Sequence, residues 1–290
     1  MSERILSCKN LKKSYKDKEV LKNVNLDFEK GKIYGLIGRN GAGKTTLLSI
    51  MSAQNPKSSG EVTLGGEEIW ENRKTLSNIC FSRELNQGTS SATGNYRIKE
   101  YLEAASVYYD NWDQEMADEL VKEFKLNPKD RLMKISKGML SMVTIIVALA
   151  SKCEFTLLDE PVAGLDVFMR DKFYKLLLDE YTETGRTFVI STHIIDEASP
   201  VFEEVIVLKD GDVILKENTE EVLSRCVHVS GKAEVVDAAV EGLDIYHEEV
   251  VGRSKGYTVM LKEGQSIQEN ESISVQPVSL QNLFLALCGD

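Results

Sequence analysis

The chain has 290 residues, is 42% hydrophobic and 28% charged, and carries a net charge of -11, which suits a globular protein of one large α/β domain and a smaller second unit. The acidic balance argues against a duplex nucleic-acid surface, where basic stripes are needed. Five scattered cysteines (Cys8, Cys80, Cys153, Cys226, Cys288) form no C-x-x-C pair, so neither a zinc site nor a disulfide framework is suggested and a reducing cytosol fits best.

In chain order, the opening MSERILSCKN has no long apolar core and does not read as a signal peptide. Residues 4–8 and 24–28 gather apolar side chains in short runs and predict strands, with Tyr15 in the polar, turn-rich segment between them. Lys32-Ile33-Tyr34-Gly35-Leu36-Ile37 predicts a buried strand, and Thr46–Met51 the start of an apolar helix. Between them runs Gly38–Thr46, GRNGAGKTT, where Gly38, Gly43, Lys44 and Thr45 fit the phosphate-loop pattern G-x-x-x-x-G-K-[ST]. Glycines let backbone N–H groups close on an anionic phosphate chain, and the following helix aims its unpaired N–H groups at the same charge. Asn40, Gly41, Ala42 and Thr46 complete the cradle. Lys44 adds a full charge near the β- and γ-phosphates, and the Thr45 hydroxyl is a ligand for Mg²⁺.

Asn55–Gly60 reads as a loop, Glu61–Leu64 as a strand with Gly65-Gly66 as its turn, and Ile79–Phe81 as a short strand. From Tyr96 to Leu126 the period is helical: Ile98, Tyr101, Leu102 and Ala105 share one face, Met116, Leu120, Val121 and Phe124 another, and Asn127-Pro128 ends the stretch. A second long helix is predicted over about 137–152. Its apolar run, Met139–Ala150, is interrupted by Ser141 and Thr144 and is too short to span a bilayer, so any membrane role is expected to come through a partner. Phe155–Asp159 predicts a buried strand, 166–183 a helix, 187–191 and 205–208 strands, and 213–216 a hairpin partner across Asp210-Gly211. Alternation of strand and helix points to a mainly parallel sheet. Past about Leu223, β-like runs at 227–229 and 257–261 and a final helix at 280–287 predict a small α+β appendage.

The strand at 155–159 runs into Asp159-Glu160-Pro161, two carboxylates at the sheet edge where α/β proteins hold ligands. Adjacent acids at a strand exit are by themselves more often a solvated end. Behind a phosphate loop they acquire roles: Asp159 holds Mg²⁺, usually through water, and Glu160 orients and deprotonates an attacking water.

Phosphate loop, Asp159-Glu160-Pro161, Ala163-Gly164-Leu165-Asp166 and Ser191-Thr192-His193, in that order, resemble the ATP-binding subunit of an ABC (ATP-binding cassette) transporter over about residues 3–223. The resemblance implies an α/β P-loop NTPase fold of ABC-cassette type: a mainly parallel core with an antiparallel β part and a helical insert (about 83–152) within a cassette over 1–223, followed by the appendage over 224–290. It implies that Tyr15 stacks on adenine, that Asp166 touches an opposite subunit, and that His193 contacts the γ-phosphate. Two stations depart from the pattern. Where L-S-G-G-Q is usual, this chain has Ile135-Ser136-Lys137-Gly138-Met139, so that Ser136 and Gly138 match while Lys137 and Met139 do not. Where a glutamine is usual, alignment gives Glu84, a carboxylate able to ligate Mg²⁺, with Gln87 as a competing candidate.

Tyr108–Asp113 and Val278–Phe284 resemble one branch of the family, the stand-alone cytosolic subunits of bacterial exporters that include antibiotic-peptide efflux systems. The expected protein is thus an ATPase using MgATP, working as a homodimer or heterodimer of such subunits beneath a separate transmembrane permease, at the cytosolic face of the membrane. Two other classes fit parts of the chain: a nucleotide-sensing module that closes without turnover, and a soluble ABC ATPase with no transport role. The latter class usually carries two cassettes, a coiled coil or zinc motifs.

Overall fold

A computed structural model of the protein describes residues 4–85, 93–262 and 264–289. The chain opens with the hairpin β1 (Leu6–Tyr15) and β2 (Lys18–Phe28), then β3 (Ile33–Ile37) and α1 (Lys44–Met51). Next come β4 (Ser59–Leu64), β5 (Glu67–Glu68), the single turn α2 (Arg73–Leu76) and β6 (Ile79–Arg83), followed by three helices, α3 (Ile98–Tyr108), α4 (Gln114–Glu123) and α5 (Lys137–Ala150). Strand and helix then alternate through β7 (Phe155–Asp159), α6 (Val167–Thr184), β8 (Thr187–Ser191), α7 (Ile195–Ala198), β9 (Glu204–Lys209) and β10 (Asp212–Asn218). The last stretch holds α8 (Thr219–Arg225), β11 (Cys226–Lys232), α9 (Ala233–Ala239), β12 (Asp244–Val251), β13 (Ser254–Met260), β14 (Ile273–Pro277) and α10 (Leu280–Cys288).

These strands make three sheets. The central one runs β10-β9-β3-β8-β7-β6, parallel except for β10. Every residue of β3, β7 and β8 is buried, as expected for parallel strands covered on both faces. One face packs against α3 to α6. The other packs against α1 and the antiparallel sheet β2-β1-β4-β5. Register decides where chemistry is possible. Asp159 lies beside Ser191, Ser191 beside Leu36, and Arg83 beside Asp159. The C-terminal ends of β6, β7, β8 and β3 therefore converge, at the edge where open α/β sheets take ligands.

Tyr15 is not in the turn. It closes a ten-residue strand, paired with Lys18 across the hairpin. The pairing of β1 with β2 shifts register after Cys8, Leu11 and Lys13; such bulges break the alternation that marks a strand in sequence. The helical period read over 96–126 resolves into α3 and α4, with a break between them.

In the C-terminal stretch, the antiparallel sheet β12-β13-β11-β14 forms its own small core with α9, centred on Val229, Val236 and Val259. The final helix turns back instead. Leu280, Leu283 and Cys288 of α10 join the core that lies under α3 to α6, and the Lys209 ammonium donates to the Leu287 carbonyl at 3.0 Å.

All five cysteines are free and buried, none more than 2% exposed. Burial pushes the Cys8 and Cys153 thiols up to about 12 and that of Cys226 to about 11. Thiolate, the reactive form, is scarce and shielded. Titration of the native protein with a thiol reagent at mildly alkaline pH is expected to show no fast phase, with five thiols appearing only after addition of concentrated guanidinium.

Candidate active site

The buried strand β3 delivers the chain to Gly38, where space is the constraint. A Cβ there would sit 2.5 Å from the carbonyl oxygen of Leu208 on β9, so only glycine lets the loop leave the strand along this path. The loop turns through an Ala42 N–H bond to the Arg39 carbonyl (3.1 Å) and enters α1 at Gly43. No side chain caps α1 and its first turn carries no acid. The crest, Asn40 and Gly41, is exposed, as is Thr45, and Thr46 is half-buried. Lys44 is 7% exposed. Its ammonium folds back on its own loop, donating to the Gly38 carbonyl at 2.6 Å and to that of Arg39 at 3.4 Å. Burial pulls its pKa below the usual lysine value, and the fields of Glu160 and Asp159 pull in the opposite direction. Burial leaves this ammonium short of solvation, so it gains from an anionic partner, while the two carboxylates nearby favour a cation.

The carboxylates are held by β8. Ser191 Oγ donates to Asp159 Oδ1 at 2.5 Å, and the Glu160 N–H donates to the Ser191 carbonyl at 3.0 Å. Ser191, which sequence reading took only as context for His193, thus holds both acids; strand register is what reveals it. Glu160 has φ +50°, a left-handed backbone that costs a non-glycine residue about 1–3 kcal/mol and clusters at active sites. Its Oε2 lies 2.7 Å from His193 Nδ1. Two residues 33 apart in sequence meet because β7 and β8 end side by side.

The other expected residues sit nearby or on a second surface. Tyr15 is half exposed; the Lys13 ammonium lies over its ring at 4.6 Å, and its hydroxyl accepts from Asn55. Its hairpin is tied to the cradle by a short relay: Lys22 N–H donates to the Gly211 carbonyl (3.1 Å) and Gly211 N–H to that of Ala42 (3.2 Å). Ser136 caps α5, its hydroxyl accepting from Met139 N–H at 3.2 Å. Gly138 passes so close to the 163–166 loop that a Cβ would lie 2.7 Å from the Gly164 carbonyl, and Ser141 Oγ donates to the Ala163 carbonyl at 2.6 Å. The start of α5 and that loop are one packed unit. Asp166 caps α6, accepting from Met169 N–H at 2.9 Å. Glu84, expected as a metal ligand, instead has its carboxylate 3.0 Å from the Lys137 ammonium. Gln87 lies outside the described residues.

A family model described as ABC transporter matches residues 21–163. The uncharacterized ABC transporter ATP-binding protein YcbN of Bacillus subtilis (strain 168) is 30% identical over 219 residues, 75% of this chain and 71% of that protein. The chain belongs to the ABC transporter ATP-binding family. It is an ATP-binding, ATP-hydrolysing subunit of that family. The ABC transporter ATP-binding protein YtrB of the same organism is similar end to end, 25% identical over 98% of each chain. Among solved structures, the dimeric post-hydrolysis state of the ATP-binding cassette MJ0796 bound to ADP and Pi superposes with a TM-score of 0.64 at 27% identity, covering 74% of this chain and 98% of that one. The α/β P-loop fold is that of the ABC ATPases.

The packing of this cassette's cradle yields a direct test. Gly38→Ala forces a methyl onto the Leu208 carbonyl and is expected to destabilise the fold by about 1–3 kcal/mol, read as a lower urea midpoint with an unchanged slope.

Proposed function

We propose that this cassette binds MgATP in the Gly38–Thr46 cradle and hydrolyses it with Glu160 as general base. The pairing of Glu160 with His193 at 2.7 Å carries the reading. His193 orients the carboxylate, which takes a proton from water as the water oxygen attacks the γ-phosphorus and ADP leaves in line. Lys44 exchanges its backbone carbonyls for β- and γ-phosphate oxygens, and the backbone N–H groups of 40–46 receive the phosphate chain. Tyr15 stacks on adenine with the face that Lys13 does not cover.

Thr45 and Asp159 offer a hydroxyl and a carboxylate, the hard oxygen donors that Mg²⁺ takes in small number together with phosphates and water. Among the described residues no group of three or more His, Cys, Asp or Glu forms a metal cage, which suits an ion completed by substrate. When bound there, Mg²⁺ neutralises charge on the β- and γ-phosphates.

We assign the second surface, Ser136 and Gly138 with the 163–166 loop, to the nucleotide of a facing cassette. Two copies, or this chain and a relative, enclose ATP head to tail. Contacts that exist only with the γ-phosphate favour the closed pair, and hydrolysis removes them. No helix among the described residues is long and apolar enough to cross a membrane. We assign transport to a separate permease seated on the helical insert, where Val107 and Tyr108 at the end of α3 are 85% and 61% exposed. That assembly lies at the cytosolic face of the membrane. Export is the direction we propose, on the exporter-like stretches Tyr108–Asp113 and Val278–Phe284.

Glu160→Gln is expected to leave ATP affinity intact and to slow phosphate release about 10²–10⁴-fold; equal turnover would remove Glu160 as the base. Lys44→Ala is expected to weaken nucleotide binding measured by calorimetry, and unchanged affinity would count against the cradle.

A further inference from the structure

The two stations where this chain departs from the usual cassette pattern touch each other. Lys137 stands in the motif that opens α5, and Glu84 follows the last residue of β6; Lys137 Nζ lies 3.0 Å from Glu84 Oε1. Both are charged where the pattern is neutral, and the charges are opposite. The lysine occupies the first position of α5, just after the Ser136 cap. A cation there opposes the positive end of the helix dipole, and the first turn of α5 contributes no acid to offset it. The offset comes from Glu84, just past β6. The lysine stem is not free to wander: its Cγ would lie 2.9 Å from a Cβ on Gly164, so it is laid along the 163–166 loop. Meanwhile the Lys137 and Glu84 side chains remain 55% and 34% exposed. An exposed pair of this kind shifts an equilibrium by only a few-fold. A terminal phosphate carries more charge than one carboxylate and offers several acceptor oxygens, so it displaces Glu84 readily.

We propose that Lys137 and Glu84 form a competitive latch: Glu84 neutralises Lys137 in the nucleotide-free cassette, and the γ-phosphate of ATP carried by the facing subunit takes its place. Lys137 is then a further phosphate-binding residue of the composite site, beyond the Ser136 hydroxyl and the helix N–H groups. Glu84 acts through Lys137 and sets how much ATP is needed before the pair closes. This rests on the head-to-tail arrangement proposed above. It also gives Glu84 a task other than metal ligation, in keeping with its contact with Lys137.

The test uses the full chain carrying Glu160→Gln, so that ATP persists, with dimer formation followed by sedimentation as MgATP is raised. Adding Lys137→Gln is expected to raise the half-maximal ATP concentration about tenfold, the worth of one charge-assisted hydrogen bond. Lys137→Arg is expected to stay near the parent. Adding Glu84→Gln is expected to lower the half-maximal concentration by about two- to fivefold, less so at high salt, where the pair is already screened. Opposite signs for the two substitutions are the mark of competition. A merely structural pair would move both in one direction, and that result, or no change with Lys137→Gln, overturns the latch. A Glu160→Gln chain that stays monomeric in saturating MgATP overturns the head-to-tail reading itself, and the latch with it.

Discussion

A buried cation held on carbonyl oxygens is what the site is built around. Lys44 lies under its own loop, donating to Gly38 and Arg39, within the field of Asp159 and Glu160. Carbonyl oxygens are weaker partners than phosphate oxygens, and a desolvated ammonium gains most from a strong anion. The loop therefore has to be tight enough to hold the lysine down without a carboxylate in contact. Packing of Gly38 against β9 supplies that tightness, and the uncapped start of α1 leaves its N–H groups to the ligand.

Around that cation, rigidity and strain are divided between two strand ends. Ser191 grips both acids, one by its hydroxyl and one by its carbonyl. The first contact fixes the Asp159 carboxylate in place. The second bends the chain through a left-handed residue, which swings Glu160 toward His193. Holding Glu160 in a strained backbone keeps its carboxylate aimed, a common arrangement where one group must act as a base.

The second surface is made differently. The Ser141 hydrogen bond and close glycine packing join the start of α5 to the 163–166 loop. Lys137 rides on that unit and reaches back to β6, from which the chain enters the helical insert. The C-terminal helix is also joined to this body, since α10 packs into the core beneath the insert while β11 to β14 keep a core of their own.

Much of this was legible beforehand. The phosphate loop, the acid pair and the buried strands β3, β7 and β8 depend on local composition, and a glycine-rich loop between an apolar strand and a helix carries its chemistry in its residue order. The hairpin was harder, because the bulges of β1 disguised its length and hid Tyr15 in an apparent turn. Strand β12 left no pattern because it is exposed on both faces. What residue order by itself determined was the cradle with its Lys44, and the presence of two acids at a strand exit. Only the tertiary structure decided that Ser191 holds Asp159, that His193 meets Glu160, and that Glu84 faces Lys137. Those pairs are set by strand register and by helix packing across the sheet, and contacts between residues dozens of positions apart are made only when the sheet assembles.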